Sequence, residues 1–261
     1  MKEGVLRNEI LSAQGRCEPA INVLTMDELV RSNQELEQFA FAASHDLQEP
    51  LKAISFYLRS FNKKYQGRLD DKADEIILSI LDRSERMQHL VQNILTYARA
   101  GKENIPFTKL DSRIVLKRAI ENLKVTIEDN SAQIRYEGCP VIMGDEIQLT
   151  QLFQNLIDNA IKFRKKEESP CVHISARQKG EQWLFAIQDN GIGIQREHIQ
   201  SIFNIFTRLH SYNEYAGNGI GLALCKRTVE SHRGRIWVGS EVGKGTTVYF
   251  TIPKTASEDG L

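Results

Sequence analysis

The sequence predicts an α + α/β chain, a long helical hairpin followed by a compact α+β domain, and three observations carry that expectation. Two apolar seams with heptad steps fill residues 27–101. The patterning changes abruptly after "AGKENIP". Beyond it, strand-like and helix-like stretches follow one another without regular alternation, which fits α+β better than a doubly wound sheet.

Residues 1–26 are weakly patterned and read as a connector. From Met26 a seam runs Leu29, Asn33, Leu36, Ala40, Ala43, Leu47, Pro50, Ile54, in alternating steps of four and three. "NKKYQGRLDDKAD" breaks it, with Gly67 as the expected turn. A second seam runs Ile77, Ile80, Ser84, Met87, Val91, Ile94, Ala98, Gly101. Flanking residues Phe39, Phe56, Leu58, Ile76, Leu81, Leu90 and Leu95 widen both stripes beyond a two-stranded seam. Stripes that broad suit pairing with a second copy into a four-helix bundle, the alternative being a hairpin packed on its own chain.

After the boundary near residues 100–106, "FTKL" reads as strand and a helix starts at Asp111 or Ser112, running to about Glu128. "AQIRYE" and "CPVIMG" read as a pair of strands. Asp145 with Gln148 three positions on fits a capping-box variant that opens a helix from Glu146 to about Lys165. "CVHISARQ" and "QWLFAIQD" are strands joined near Gly180; a glycine-rich turn, short helices, a polar loop, a helix over about 219–232 and two last strands complete the domain, with 255–261 as a tail.

The bulk numbers bound the function. The 261 residues hold 34 Lys+Arg and 34 Asp+Glu, and the zero net charge gives no overall pull towards nucleic acid or an anionic membrane. Four scattered cysteines without a CxxC pair indicate a reduced, intracellular chain. No apolar run approaches the ~20 residues of a membrane span, and the first residues do not read as a signal peptide, so a cytoplasmic location is expected.

Three constellations carry chemistry. In "QLTQLFQNLIDNAIKF", with Asn155 set at zero on a helical wheel, Asn159 falls near about 40°, Lys162 near about −20° and Gln151 near about −40°. Leu149, Phe153, Leu156, Ile157, Ala160 and Ile161 take the opposite side. The row of carboxamides and an amine is equally readable as a solvated face or as a polar site, although Asn is a mediocre helix former. In "FAIQDNGIGI" a strand delivers Asp189 into Asn190-Gly191-x-Gly193. An Asn-Gly hairpin turn is the plain alternative, but the helix-like "QREHIQSIF" that follows weakens it. A carboxylate at a strand end accepts from an exocyclic amine such as adenine's, and glycines let backbone approach a flat ring. In "GNGIGLALCKRTVE", Gly217, Gly219 and Gly221 open a helix whose free amides suit a phosphate. A dinucleotide fingerprint would sit after an early strand, so that alternative is poor. Between the glycine clusters, "FNIFTRLHSYNEYA" reads as a lid anchored by Phe203 and Phe206.

"FAASHDLQEPLKAI" adds a fourth. With Ala40 and Ala43 inward, His45 takes the outward f position. Pro50 removes the amide that would bond the Asp46 carbonyl, at a cost of up to ~3 kcal/mol inside a helix. An outward imidazole is ordinarily a plain surface residue; beside so costly a device it reads as a nucleophile, with Asp46 holding Nδ1–H and leaving Nε2 free.

Together these motifs resemble the two-component sensor histidine kinases. "SHDLQEPLK" is similar to the H-box of phytochrome-type members, "QNLIDNAIKF" to the N-box, "IFNIFTRLH" to the Phe box, and "DNGIGI", "GNGIGLALCKRTVESHRGRIWV" and "GKGTTVYF" to the glycine boxes, over about residues 27–254. The resemblance implies a dimerisation and phosphotransfer domain at 27–101 and an ATP-binding α+β sandwich of the histidine kinase, gyrase and chaperone type at 102–254. It implies that His45 accepts the γ-phosphoryl group of ATP, activated by Asp46, and that Asn155 binds Mg²⁺. Asn159, Lys162, Phe163, Asp189, Gly191, Gly193, Arg208, Gly217, Gly219, Gly221 and Leu222 would bind the nucleotide. The implied partners are a second copy of the chain, a response-regulator receiver domain and an upstream sensor module, photosensory by analogy with the H-box. Relatives that hydrolyse ATP carry Glu where this chain has Gln151, so transfer is expected over hydrolysis. Glu49, where strong phosphatases of the family carry Thr or Asn, implies weak phosphatase activity.

Overall fold

The computed structural model describes residues 18–99, 107–209, 215 and 217–254, with side chains in the first helix described at 28, 31, 42–44 and from 46 onward. The expectations placed on 1–17, on the 100–106 boundary, on part of the lid (210–214 and 216), on the 255–261 tail and on the Leu29, Asn33, Leu36, Phe39, Ala40 and Ala98 side chains lie outside the described residues. The chain forms two compact units, residues 1–91 and 92–261.

The first unit is a hairpin of α1 (Glu18–Tyr65) and α2 (Asp71–Arg99), of which the last residues, from Gln92, fall in the second unit. Gly67 turns the link with φ of 71°, a left-handed value, and its N–H donates to the Asp74 carboxylate at 3.0 Å. Helix α1 continues through Pro50. Pro50 and Asp46 are both exposed at this point of the helix.

The seam between the two helices is not the expected one. Ser44, Leu51 and Ser55 are buried on α1, and Ile77, Leu81, Ser84 and Val91 on α2. On α1 every buried position is one residue past the expected Ala43, Pro50 and Ile54, a rotation of about 100°. On α2 the expected Ile77, Ser84 and Val91 are retained, but Leu81 and half-buried Gln88 replace Ile80 and Met87. The reason is a polar layer that supplies its own partners. Ser55 and Ser84 hydroxyls meet at 2.7 Å, and Gln88 Nε2 donates to Ser55 Oγ at 2.7 Å and to the Leu51 carbonyl at 2.9 Å. Small hydroxyl side chains let the helices approach, and their bonding removes the penalty of burying them. The displaced apolar residues stay outside: Leu47 is 51% exposed, Ile54 47% and Met87 50%. No helix among the described residues is long and apolar enough to cross a membrane.

The second unit sets three helices against one face of a five-stranded sheet. Its elements are β1 (Thr108–Asp111), α3 (Ser112–Asn122), α4 (Lys124–Asp129), β2 (Gln133–Glu137), β3 (Val141–Gly144), α5 (Glu146–Lys162), β4 (Cys171–Lys179), β5 (Gln182–Asp189), α6 (Gly221–Ser231), β6 (Ile236–Glu241) and β7 (Gly245–Pro253). The sheet order is β2-β4-β5-β7-β6, parallel at β2/β4 and antiparallel elsewhere. The two strands read as a pair do not pair: β2 joins β4, and β3 joins β1 antiparallel. Between them Gly138 adopts φ of 65° so close to the Ala176 carbonyl that a Cβ would lie 2.3 Å from its oxygen. The Pro140 carbonyl is then taken by the Ser112 N–H and hydroxyl, and the chain leaves the sheet.

Alternation places Val172 and Ile174 of β4, Phe185 and Ile187 of β5, and Phe250 and Ile252 of β7 in one core with Leu116 of α3, Val229 of α6 and the apolar face of α5. Phe153 of α5 meets Phe185 and Phe250 edge-on, each at 5.7 Å, while those two rings stack at 4.9 Å. Burying each ring contributes about 1.5–3 kcal/mol, which fixes α5 on the sheet.

The start of α5 is secured as expected and by one further tie. Asp145 Oδ1 accepts from the Ile147 and Gln148 N–H groups, and Gln148 Nε2 reaches back to Asp145 Oδ2 at 3.2 Å. The Asp145 N–H donates to Nε2 of buried His232 at 3.0 Å, while Nδ1 of that ring bonds the Thr228 carbonyl at 2.7 Å. Nε2 accepts and Nδ1 donates, so the imidazole is neutral, and burial holds it below the usual histidine range. Below about pH 6.5 the unfolded chain takes up a proton that the folded one refuses, so stability falls as the pH drops. Urea unfolding across pH 7.5 to 5 should show stability lost on the acid side at up to about 1.4 kcal/mol per pH unit. His232→Gln should flatten that slope; an unchanged slope would remove His232 as its source.

Candidate nucleotide site

The polar face of α5 is one wall of the site. Gln151, Asn155, Asp158, Asn159 and Lys162 form a half-buried row opposite the core residues. Asn155 Oδ1 accepts from Gln151 Nε2 at 3.1 Å, and Asn155 Nδ2 is buried without a hydrogen-bond partner. Lys162 lies with Nζ 4.5 Å from the Phe163 ring centre. Burial lowers its pKa, with Arg208 adding to that and Asp158, one turn back, opposing it. Burial raises the Asp158 carboxyl in turn, against the pull of Lys162.

The glycine loop forms a second wall at the C-terminal end of α5. Asp189 Oδ1 accepts from the Gly191 N–H at 2.8 Å and the Thr246 N–H at 3.0 Å. Burial pushes this carboxyl up, and those two donors pull it partly back. Ile192 N–H donates to the Phe163 carbonyl at 3.0 Å, an approach open because Gly191 has no Cβ, which would sit 2.5 Å from that oxygen. Gly193 takes φ of 74° with its Cβ position 2.2 Å from the Glu241 carbonyl oxygen. Asn190 is a tie of the loop: it accepts from the Cys171 N–H and donates to the Ser169 carbonyl.

The third side comes from the segment before α6. Gly217 stands against the Lys162 ammonium, since a Cβ there would lie 2.5 Å from Nζ. Gly219 has φ of 69° and its carbonyl accepts from the Phe206 N–H at 2.9 Å. Gly221 opens α6 with its Cβ position 4.0 Å from Asn155 Cγ. Tyr215 packs on Phe163 at 5.0 Å between ring centres, and Arg208 Nη2 donates to the Tyr215 carbonyl at 3.2 Å.

The fold thus brings Asn155 against Gly221, and Lys162 and Phe163 against Gly217, Tyr215 and the Asp189 loop. Asn159 shares their row, and Leu222 is half-buried against the core. Arg208 is exposed. Phe206 is 57% exposed with φ of 64°, so it does not serve as the apolar anchor expected of it; Phe203 is half-buried. The helix read in "QREHIQSIF" is one turn of 3-10 helix, Arg196–His198, followed by turns. Asp158, Thr246 and Tyr215 were missed, though the four-residue spacing of Asp158 and Lys162 was visible. Asp46 is an exposed position of α1, and the His45 side chain lies outside the described residues.

Comparison with known proteins fits this geometry. Residues 35–103 match the His kinase A phospho-acceptor domain, and 144–256 match the histidine kinase-, DNA gyrase B- and HSP90-like ATPase domain. The chain carries the two domains of a histidine kinase catalytic core. It is 46% identical over 226 residues to cyanobacterial phytochrome A of a Nostoc species, a match covering 87% of this chain and 29% of that protein. The chain therefore spans under a third of that relative's length. Among solved structures it shares its fold with full-length ShkA in complex with AMPPNP (TM-score 0.67, 23% identity, 84% of this chain and 47% of that one). It likewise shares the fold of histidine kinase ThkA in complex with the response regulator TrrA (TM-score 0.57, 20% identity, 88% and 66%).

The loop geometry can be tested by stability alone. Gly180→Ala, at φ of 61° in open space, should cost about 1–2 kcal/mol of left-handed strain. Gly193→Ala adds a backbone collision and should cost about 3 kcal/mol or more. Equal losses in denaturant titration would show that the loop is not clamped as described.

Proposed function

We propose that the chain is an ATP-dependent protein-histidine kinase core that phosphorylates its own His45 and passes the phosphoryl group to an aspartate of a response-regulator receiver domain. The observation that carries this reading is the three-sided site on α5, where the asparagine and lysine row faces the glycines before α6 and Asp189 lies at its end. The partly buried Asp189 carboxylate would accept from adenine's amino group, and Gly191 would let the ring lie against backbone. Lys162, Asn159 and the α6 amides opened by Gly217, Gly219 and Gly221 would meet the phosphates, with Arg208 beside them. Phe163 and Leu222 would flank the nucleotide.

The residues fit a magnesium ion. Among the described residues no group of three or more His, Cys, Asp or Glu could hold a metal by itself. The Asn155 carboxamide offers one hard oxygen, and Mg²⁺ characteristically combines one or two protein oxygens with substrate phosphates and water. The ion would neutralise phosphate charge. His45 Nε2 would attack the γ-phosphorus with its lone pair while the bond to the bridging oxygen breaks and its electrons leave with ADP. Asp46 would hold Nδ1–H. Likeness to the phytochrome supports an upstream photosensory module and a cytoplasmic setting, and the domain limits 27–101 and 102–254 accord with these roles.

Incubation with radiolabelled ATP and Mg²⁺ tests the reading. Acid-labile, base-stable label is expected on the wild type and absent from His45→Ala. Steady phosphate release without labelled protein would indicate an ATP-driven clamp instead, and neither outcome a binding scaffold.

The same reading makes the protein a homodimer. The unpartnered stripe of Leu47, Ile54, Ile80 and Met87 supports it, because a second copy would bury those side chains. Ile80→Glu should convert the dimer to monomer in sedimentation while His45→Ala leaves it intact; a dimer that persists with Ile80→Glu would refute this interface.

A further inference from the structure

The structure gives the Gln151 amide a partner of its own on the polar face of α5. The carboxamide of Asn155 has two ends that differ completely in environment. Its Nδ2 is buried without a hydrogen-bond partner. The Cys225 thiol lies alongside, fully buried and pushed up to about 12 by burial, and so is a neutral S–H. A thiol sulfur is a weak acceptor and does not satisfy the amide. Its Oδ1 faces the half-buried row and accepts from Gln151 Nε2 at 3.1 Å.

Left to itself, this amide would be unstable in the orientation described. A rotation of half a turn about its last side-chain bond would bring Nδ2 out to donors and acceptors of the polar face and place the oxygen beside the thiol, relieving a buried N–H that costs about 1–3 kcal/mol. The hydrogen bond from Gln151, one turn earlier on the same face, opposes that rotation, and beside it stands the weak contact of the amide with the Cys225 sulfur. A carboxamide oxygen has two acceptor sites, so the bond from Gln151 occupies one and leaves the other.

We propose that Gln151 is a positioning residue that holds the Asn155 oxygen, rather than its N–H₂ group, towards a divalent cation. The role rests on the kinase reading, in which Asn155 is the protein's ligand to Mg²⁺. Gln151 acts through its neighbour, by selecting which atom of Asn155 is presented. Groups that orient a metal ligand in this way are worth about 10–100-fold in metal affinity.

Calorimetric titration of the full chain with AMPPNP at a series of Mg²⁺ concentrations separates the possibilities. Gln151→Met keeps the length of the side chain and removes the donor. It should raise the Mg²⁺ concentration needed for half-maximal tightening about tenfold, a larger shift than any in metal-free AMPPNP affinity or Tm. In the variant background, Cys225→Ser supplies a hydroxyl acceptor to Nδ2 and should recover part of the loss. An equal fall in metal-free affinity and Tm would make Gln151 merely structural, and an unshifted Mg²⁺ requirement would overturn the proposal. If the wild type bound AMPPNP without any Mg²⁺ dependence, the metal assignment of Asn155 would fail with it. A Mg²⁺-dependent wild type matched by the variant would remove the role of Gln151 alone.

Discussion

The burial of one face of α5 is the constraint on which the second unit depends. Leu149, Leu152, Phe153, Leu156, Ile157 and Ile161 are each at most 2% exposed, and they lock the helix rotationally against the sheet. Once that face is fixed, a helix has no freedom left in what it shows on the other side. Gln151, Asn155, Asn159 and Lys162 are therefore placed by hydrocarbon packing that none of them takes part in. The aromatic contact of Phe153 with Phe185 and Phe250 ties the same helix to β5 and β7. β5 ends at Asp189 and β7 begins at Gly245, beside Thr246, so the carboxylate and the asparagine row share one rigid support.

Glycine performs the complementary task at the loops. Gly191, Gly193 and Gly245 each stand where a Cβ would fall 2.1–2.5 Å from a backbone oxygen. Their role is close approach, by which the Asp189 loop is held between the end of α5 and the β6–β7 turn. Gly217 differs, because its neighbour is the end of the flexible Lys162 side chain. One group of glycines makes the wall rigid and the other leaves room beside a charge. Half-burial of Lys162 and Asp158 on the same face weakens solvation of both, which raises the strength of their fields at the site.

Much of this was legible in the sequence because it depends on local pattern. The period of α5, its Asp145 cap, the Gly67 and Gly180 turns and the delivery of Asp189 by a strand all follow from residues within a few positions of one another. What was not legible depends on contacts distant in sequence. The pairing of β2 with β4 instead of β3 turns on Gly138 meeting Ala176. The tie from Asp145 to His232 joins residues 87 positions apart. Thr246 supports Asp189 across a separation of 57. Phe206 misled because its type reads as core, whereas a left-handed backbone turns it outwards.

The hairpin shows a subtler failure, and its cause bears on assembly. Period alone located the helices but drew the seam along the more apolar of two adjacent stripes. The chain instead spends its small polar residues inside, where Ser55, Ser84 and Gln88 satisfy one another at short range. That choice costs little hydrophobic energy, because Leu51, Ile77, Leu81 and Val91 still close the layers on either side. It leaves the richer stripe of Leu47, Ile54, Ile80 and Met87 for an outside partner. A seam built from the apolar stripe would have made a more stable hairpin and removed the reason to assemble. With the polar layer inside, the apolar area that drives association and the register that aligns the two helices are carried by different residues, so each can be set without disturbing the other.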